Sequence, residues 1–361
     1  MRVHQMTYGM MMGDAISNHV LEIDARLRAW GFETALYAQH IAPEMRGRVQ
    51  PDSHFAAYLD AADDLLIYHY SIYSPNLRLC RAARGRRLVI YHNITPPEFF
   101  RGWDEDQAQA CETGRRALQT LSHCDLALGD SEFNRQELIA AGFQPDRTDV
   151  LPIFWSPRHS EVVSQTDALC ATLREAEGVN WLTVGRVVPN KKLEDVIRLF
   201  AVYRRAINPQ ARLYIVGSRY IRTYDAALNE LIAERDLFDS VKFVGRVSDT
   251  DLEAYYQAAD LYVCASQHEG FCVPLVESMQ HGVPILARRA TAVPETLGTA
   301  GVLFSELGYN AVAEMAQLLV TDAALRARVI QHQRERLEEL SPQRSELVLK
   351  AALGRLGLLQ A

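Results

Sequence analysis

Short apolar runs alternate with amphipathic stretches along almost the whole chain, and this alternation restricts the fold more than any other feature. In the first half, Val3–Met6, Glu33–Ala38, Leu65–His69, Leu88–His92, Leu126–Leu128 and Val150–Phe154 read as strands. Helical spacing runs from Ile16 to Trp30, where Gly31 stops it, and again from Ser131 to Ala141. A polar stretch with Pro157, then Ser160 to Asp167, reads as a hinge, and the pattern restarts after it. Trp181–Val184, Arg212–Val216, Val241–Val244, Leu261–Ala265 and Pro284–Ala287 are the second series of strands. Helices are expected over Leu193–Arg205 and Tyr224–Glu234, after the cap Ser248 with Asp251 three residues on, and from Pro274. Helices rich in Leu, Arg and Glu follow from about Asn310, and Ser341-Pro342 restarts one that runs to the end. Repeated strand–helix units build parallel sheets with helices on both faces. Two such series predict an α/β chain of two Rossmann-like, doubly wound domains facing each other across a cleft. Their expected bounds are 1–158 and 159–340, with residues 341–361 as a helix packing back on the first domain.

Length agrees, since 361 residues at about 150 per domain give two domains. The net charge, 38 − 45 = −7, disfavours a partner such as nucleic acid. No apolar stretch approaches the roughly 20 residues of a membrane span, and Met1–Met6 opens no secretory signal. Cys80, Cys111, Cys124, Cys170, Cys264 and Cys272 form no C-x-x-C pair, which argues against a zinc cluster and fits a reducing cytoplasm. Two D-x-D strings, Asp104-Glu105-Asp106 and Asp249-Thr250-Asp251, lie at helix starts, where acids are favoured without a metal. No metal site is expected.

In doubly wound sheets ligands bind beyond the carboxyl ends of the strands. After Leu261–Ala265 the chain reads Ser266-Gln267-His268-Glu269-Gly270-Phe271-Cys272-Val273-Pro274-Leu275-Val276-Glu277. Gly270 lets the backbone approach a ligand, and the amides of Phe271, Cys272 and Val273 open a helix, which makes an anion site. Glu277 is placed for a ribose diol and Glu269 for a reacting sugar. After Trp181–Val184, Gly185 permits a tight turn, and Arg186 and Lys191 are two cations suited to a diphosphate. Lys191 and Lys192 are two of only four lysines in the chain. The turn Gly245-Arg246-Val247-Ser248 could read a nucleobase edge through its backbone. In the first half, Gly13-Asp14 follows the first strand without a G-x-G-x-x-G fingerprint, which counts against a dehydrogenase. His69 and His92 each end a buried strand and are expected to face the cleft, His69 with even weight on a structural role, and His92 on the reacting sugar. Arg78, Arg81, Arg84, Arg86 and Arg87 cluster around one helix and turn, either as a solvated face or as a peripheral contact with an anionic membrane surface.

Taken together these positions resemble the family 4 glycosyltransferases of GT-B architecture. Glu269 through Glu277 is the E-x7-E pattern of that family, and Gly185-Arg186 with Lys191 is similar to its diphosphate-binding loop. His92 looks like its first-domain histidine. Gly13–Ile16, Tyr68–Ser71, Tyr91–Pro96 and Asp130–Asn134 look like a bacterial branch found with surface-polysaccharide synthesis. Cys272 stands where the family most often has Gly, and Lys192 where Gly often follows the Lys.

The resemblance implies a retaining transferase that takes a sugar from a nucleotide-diphosphate donor, UDP- or GDP-linked. The acceptor would be a saccharide or lipid-linked saccharide. The second domain would hold the donor and the first the acceptor, with Gly13, Asp14 and His69 on the acceptor side. Arg186, Lys191 and the helix amides would do the work of a metal, so no cofactor or metal is expected. A nucleotide-sugar epimerase and a non-catalytic nucleotide-sugar-binding protein remain as alternatives. The first needs further acids in the first domain, and intact Glu269, Arg186 and Lys191 argue against the second.

Overall fold

The computed structural model describes residues 1–155, 163–175, 178–305 and 308–359. The chain divides into two units: Met1–Glu98 with Asp106–Ser156 and Leu340–Ala361, and Phe99–Glu105 with Pro157–Glu339.

The first unit is built on seven parallel strands, β1 (Arg2–Met10), β2 (Glu33–Ile41), β3 (Val49–Pro51), β4 (Leu65–Tyr70), β5 (Arg86–Tyr91), β6 (Leu126–Gly129) and β7 (Thr148–Val150). Their order is β3-β2-β1-β4-β5-β6-β7. All six residues of β4 are buried, as a central parallel strand covered on both faces requires. Val3, Ile67, Ile90 and Leu128 of the sheet pack with Ile23 and Leu27 of the helix Ala15–Ala29. Leu349, Ala352 and Leu353 of the helix Pro342–Arg355 complete the same cluster, so this sheet is covered by residues from the far end of the sequence. The Trp155 indole N–H donates to the Leu340 carbonyl (2.7 Å) and ties down the start of that return.

One expected strand fails here, and one strand went unread, both for physical reasons. Val150–Phe154 is not a strand: pairing stops at Val150, and Pro152 has no N–H to give a ladder. The edge strand β3 spans three residues, too few for a period to show.

The second unit has six parallel strands, β8 (Asn180–Val184), β9 (Arg212–Val216), β10 (Val241–Gly245), β11 (Leu261–Cys264), β12 (Ile285–Arg288) and β13 (Val302–Phe304), in the order β10-β9-β8-β11-β12-β13. Three-residue β13 escapes sequence reading as β3 does. Leu182, Tyr262, Ile285, Leu275 and Val293 centre the core. Of the expected hinge, Pro157 and residues 160–162 lie outside the described residues. From Val163 the chain is already helical, through Glu175, and Cys170 and Leu173 pack on Ala254 and Ala258.

Strand order reverses between β1 and β4 in one sheet and between β8 and β11 in the other. Loops leaving such neighbours in opposite directions open a crevice at the sheet's carboxyl edge.

Candidate functional site

The second unit has a pocket at its switch point. Thr183, Gly185, Arg186, Lys191, Cys264, Ser266 and Glu269 are among its lining, all at or just beyond the ends of β8 and β11. Backbone packing shapes it from below. The Gly185 N–H donates to the Val216 carbonyl (2.9 Å), and the Gly217 N–H to that of Gly245 (2.8 Å). Gly217, at φ 151°, has no room for a side chain, because a Cβ there would lie 1.9 Å from the Gly185 carbonyl oxygen.

Two loops meet over this floor. The Asn190 amide donates to the His268 carbonyl (3.0 Å), and the Gln267 N–H donates to the Asn190 carbonyl (2.9 Å). Thr291 grips the next peptide, its hydroxyl accepting from the Glu269 N–H (2.8 Å) and donating to the Glu269 carbonyl (2.9 Å). These ties bring Lys191 Nζ to 2.6 Å from Glu269 Oε1, with the two side chains only 19% and 9% exposed. Burial opposes the charge on Lys191, but the Glu269 carboxylate outweighs it and holds the ammonium above its ordinary pKa. Arg186 is exposed, and no hydrogen bond or ion pair engages it among the described residues.

Cys272 precedes the helix Val273–Gln280 in a left-handed conformation, φ 72° and ψ 67°, with Pro274 in the first turn. The first N–H groups of a helix have no internal acceptor, so this end is suited to an anion. Phe271 and Cys272 are buried there, while Gly270 and Val273 are half-buried. Glu277 lies on this helix outside the pocket lining, half-buried, and its Oε2 accepts from the Tyr256 hydroxyl (2.7 Å). Val247 packs its side chain against the core around Leu182 and Tyr262, so recognition at that turn falls to backbone groups.

Sequence reasoning named Gly185, Arg186, Lys191 and Glu269, and the structure gathers these four in one pocket. It missed Gly217, Asn190, Thr291 and Tyr256, which hold the named residues in place. Only Gly217, directly after a strand, left a trace.

In the first unit the named residues fall differently. Asp14 is a helix cap, its Oδ2 accepting from the N–H (2.9 Å) and hydroxyl (3.0 Å) of Ser17, while Gly13 is exposed at φ 71°. His69 and His92 form the middle of a buried hydrogen-bonded chain that engages both ring nitrogens of each. The Gln5 amide N–H donates to the Val20 carbonyl (3.2 Å), which turns Gln5 Oε1 toward His69 Nε2 (3.0 Å) as an acceptor. His69 Nε2 therefore carries hydrogen and Nδ1 accepts, from His92 Nε2 at 2.9 Å. His92 Nδ1 then faces Asp130 Oδ2 at 3.0 Å. Burial pushes Asp130 up from its ordinary value and His69 well below its own. His19, fully buried beside them, accepts from the Phe154 N–H at Nδ1 (2.9 Å).

Arg78, Arg81 and Arg84 are exposed, Arg84 pairs with Asp60 at 3.1 Å, and Arg87 donates to the His123 carbonyl at 3.1 Å. Among the described residues no helix is long and apolar enough to cross a membrane.

Residues 163–336 match the family model described as Glycosyl transferases group 1. O-antigen chain mannosyltransferase B of Escherichia coli is 26% identical over 263 residues, 70% of this chain and 66% of that protein. GDP-mannose:cellobiosyl-diphosphopolyprenol alpha-mannosyltransferase of Xanthomonas campestris is 36% identical over 151 residues, 41% of this chain and 39% of that protein. The chain thus spans just under two thirds of the first relative and well under half of the second. Among solved structures, Anabaena Alr3699/HepE in complex with UDP and glucose is similar with a TM-score of 0.80 at 19% identity, over 98% of this chain and 99% of that one. WaaG, a glycosyltransferase involved in lipopolysaccharide biosynthesis, is similar with a TM-score of 0.74 at 14% identity, over 97% and 98%. The fold is therefore GT-B, with two Rossmann-like units, and the family match falls on the unit that holds the pocket.

Proposed function

We propose that the chain is a retaining glycosyltransferase that moves mannose from GDP-mannose to a saccharide or lipid-linked saccharide during polysaccharide synthesis. The observation that carries this reading is the Lys191–Glu269 pair in a pocket that also holds Arg186 and lies beside a helix start. The sugar and base come from the two relatives, both named for mannosyl transfer and one for GDP-mannose.

On donor binding, Lys191 turns from Glu269 to the diphosphate, where Arg186 and the first turn of the helix Val273–Gln280 also meet it. Glu269, released, accepts hydrogen bonds from the sugar hydroxyls, and Glu277 holds the ribose. The anomeric carbon–oxygen bond to the diphosphate breaks while the acceptor oxygen bonds to that carbon on the same face. The acceptor proton passes to the departing phosphate oxygen. Positive groups already in position stabilise the charge that grows on the leaving group, and the reaction needs no metal. His92 has a share on the reacting sugar only when its Nε2 exchanges His69 for a sugar hydroxyl.

Thermal shift with a panel of nucleotide sugars tests the donor, since a tight ligand raises stability by mass action. GDP-mannose should give the largest shift, and Glu269→Ala and Lys191→Ala should each abolish transfer while remaining folded. No response to any nucleotide sugar, or wild-type turnover in either variant, overturns the reading. Excess chelator should leave the rate unchanged.

A further inference from the structure

Cys264 and Cys272 are eight residues apart, and no ligand motif links them in sequence. The fold nevertheless brings them together. Cys264 ends β11, and the left-handed turn at Cys272 returns the chain so that the two thiols lie close together. The Cys264 thiol in turn donates to the Ser266 hydroxyl at 3.4 Å. One ligand atom from each of Cys264, Glu269 and Cys272 lies within 4.8 Å of the others, and the three residues are buried.

We propose that Cys264, Glu269 and Cys272 form a binding site for one thiophilic divalent cation, of the zinc and cadmium class, on the wall of the pocket. Two sulfurs and one carboxylate oxygen are a donor set for such an ion, with the fourth position of a tetrahedron left for water. Cys264 and Glu269 line the pocket, which supplies a path of entry. Each thiol releases its proton as it binds, so one ion taken up frees two protons. The ion and Lys191 Nζ need the same carboxylate, so uptake displaces Lys191 from Glu269. The site stands on its own geometry; its consequence, a transferase inhibited by the ion, rests on the function proposed above.

The test is a titration of the reduced full-length protein with cadmium chloride, read by the thiolate-to-cadmium ultraviolet band and by proton release into an indicator. One saturable equivalent and two protons are expected. Cys264→Ala and Cys272→Gly should each weaken uptake on the order of a hundredfold or more, and glycine suits the left-handed backbone at 272, which keeps that variant folded. Lys191→Met should bind cadmium more tightly than wild type. No saturable band in wild type, or an unchanged band and stoichiometry in both cysteine variants, overturns the site, and an unchanged affinity in Lys191→Met overturns the competition. Saturable uptake by a protein that transfers no sugar would remove the transferase reading and leave the site, and a working transferase without uptake would do the reverse.

Discussion

The ammonium of Lys191 lies 2.6 Å from the Glu269 carboxylate, so the two charges that the proposed reaction uses separately are held against each other without ligand. Removing one leaves the other buried and unmatched, which costs about 3–5 kcal/mol in comparable pairs. Lys191→Met and Glu269→Gln should each lower stability by roughly that much. The double variant should recover at least half of the summed loss, because no charge is then stranded. Urea unfolding at neutral pH measures the cycle, and additive losses would show that the pair is not coupled.

The floor of the pocket should be far less tolerant at one glycine than at its neighbour. At Gly217 a Cβ meets backbone at 1.9 Å, whereas at Gly245 it meets nothing within 4 Å and only the left-handed φ is unfavourable. Gly245→Ala should therefore cost about 1 kcal/mol. Gly217→Ala should cost several times more and should weaken donor binding by displacing the 185–191 loop. Equal losses in the two variants would contradict this.

Acid should weaken the first unit earlier than the carboxylates alone would. Burial holds His19 and His69 well below the 6.5 at which they titrate when unfolded. Below that pH the unfolded chain takes up protons that the folded one does not, so stability falls as pH falls. From pH 6.5 to 5.5 the loss should be about 1 kcal/mol per ring. Asp130, raised by burial, acts in the opposite sense at lower pH, because it accepts its proton sooner when folded. His19→Asn keeps an acceptor for the Phe154 N–H and should remove about half of the loss, as read from unfolding curves across this range.

Lys192 is held at φ 52° and ψ 47°, a conformation that a side chain resists by about 1–2 kcal/mol. Lys192→Gly should gain about 1 kcal/mol, less the small worth of its half-exposed pair with Glu194. A β-branched replacement, Lys192→Val, should instead lose stability. Thermal unfolding distinguishes the two directions.

The alternation of strands and helices was legible because central parallel strands are buried and carry runs of apolar residues, as Leu65–Ile67 within the fully buried Leu65–Tyr70 shows. Strand ends followed by Gly or a cation marked one side of the pocket for the same reason: backbone and charge requirements there are local. What stayed hidden depends on distant partners. Thr291 matters because it grips a peptide twenty-two residues earlier. His69 looked available because a strand ends there, and only the fold shows Gln5, sixty-four residues away, taking one of its nitrogens. Likewise, cysteine spacing argued against a zinc cluster, and only the turn at Cys272 brings that thiol close to Cys264 and Glu269.

The helix Pro342–Arg355 closes the core of a sheet whose strands are all encoded before residue 151. Synthesis on a ribosome must therefore reach this helix before the earlier half can seal its apolar surface, and that half waits with part of its interior bare while some two hundred further residues emerge. A fragment ending at residue 155 would carry this gap permanently. To be made alone, the half would need residues 340–359 grafted onto it, a rearranged gene rather than a shortened one.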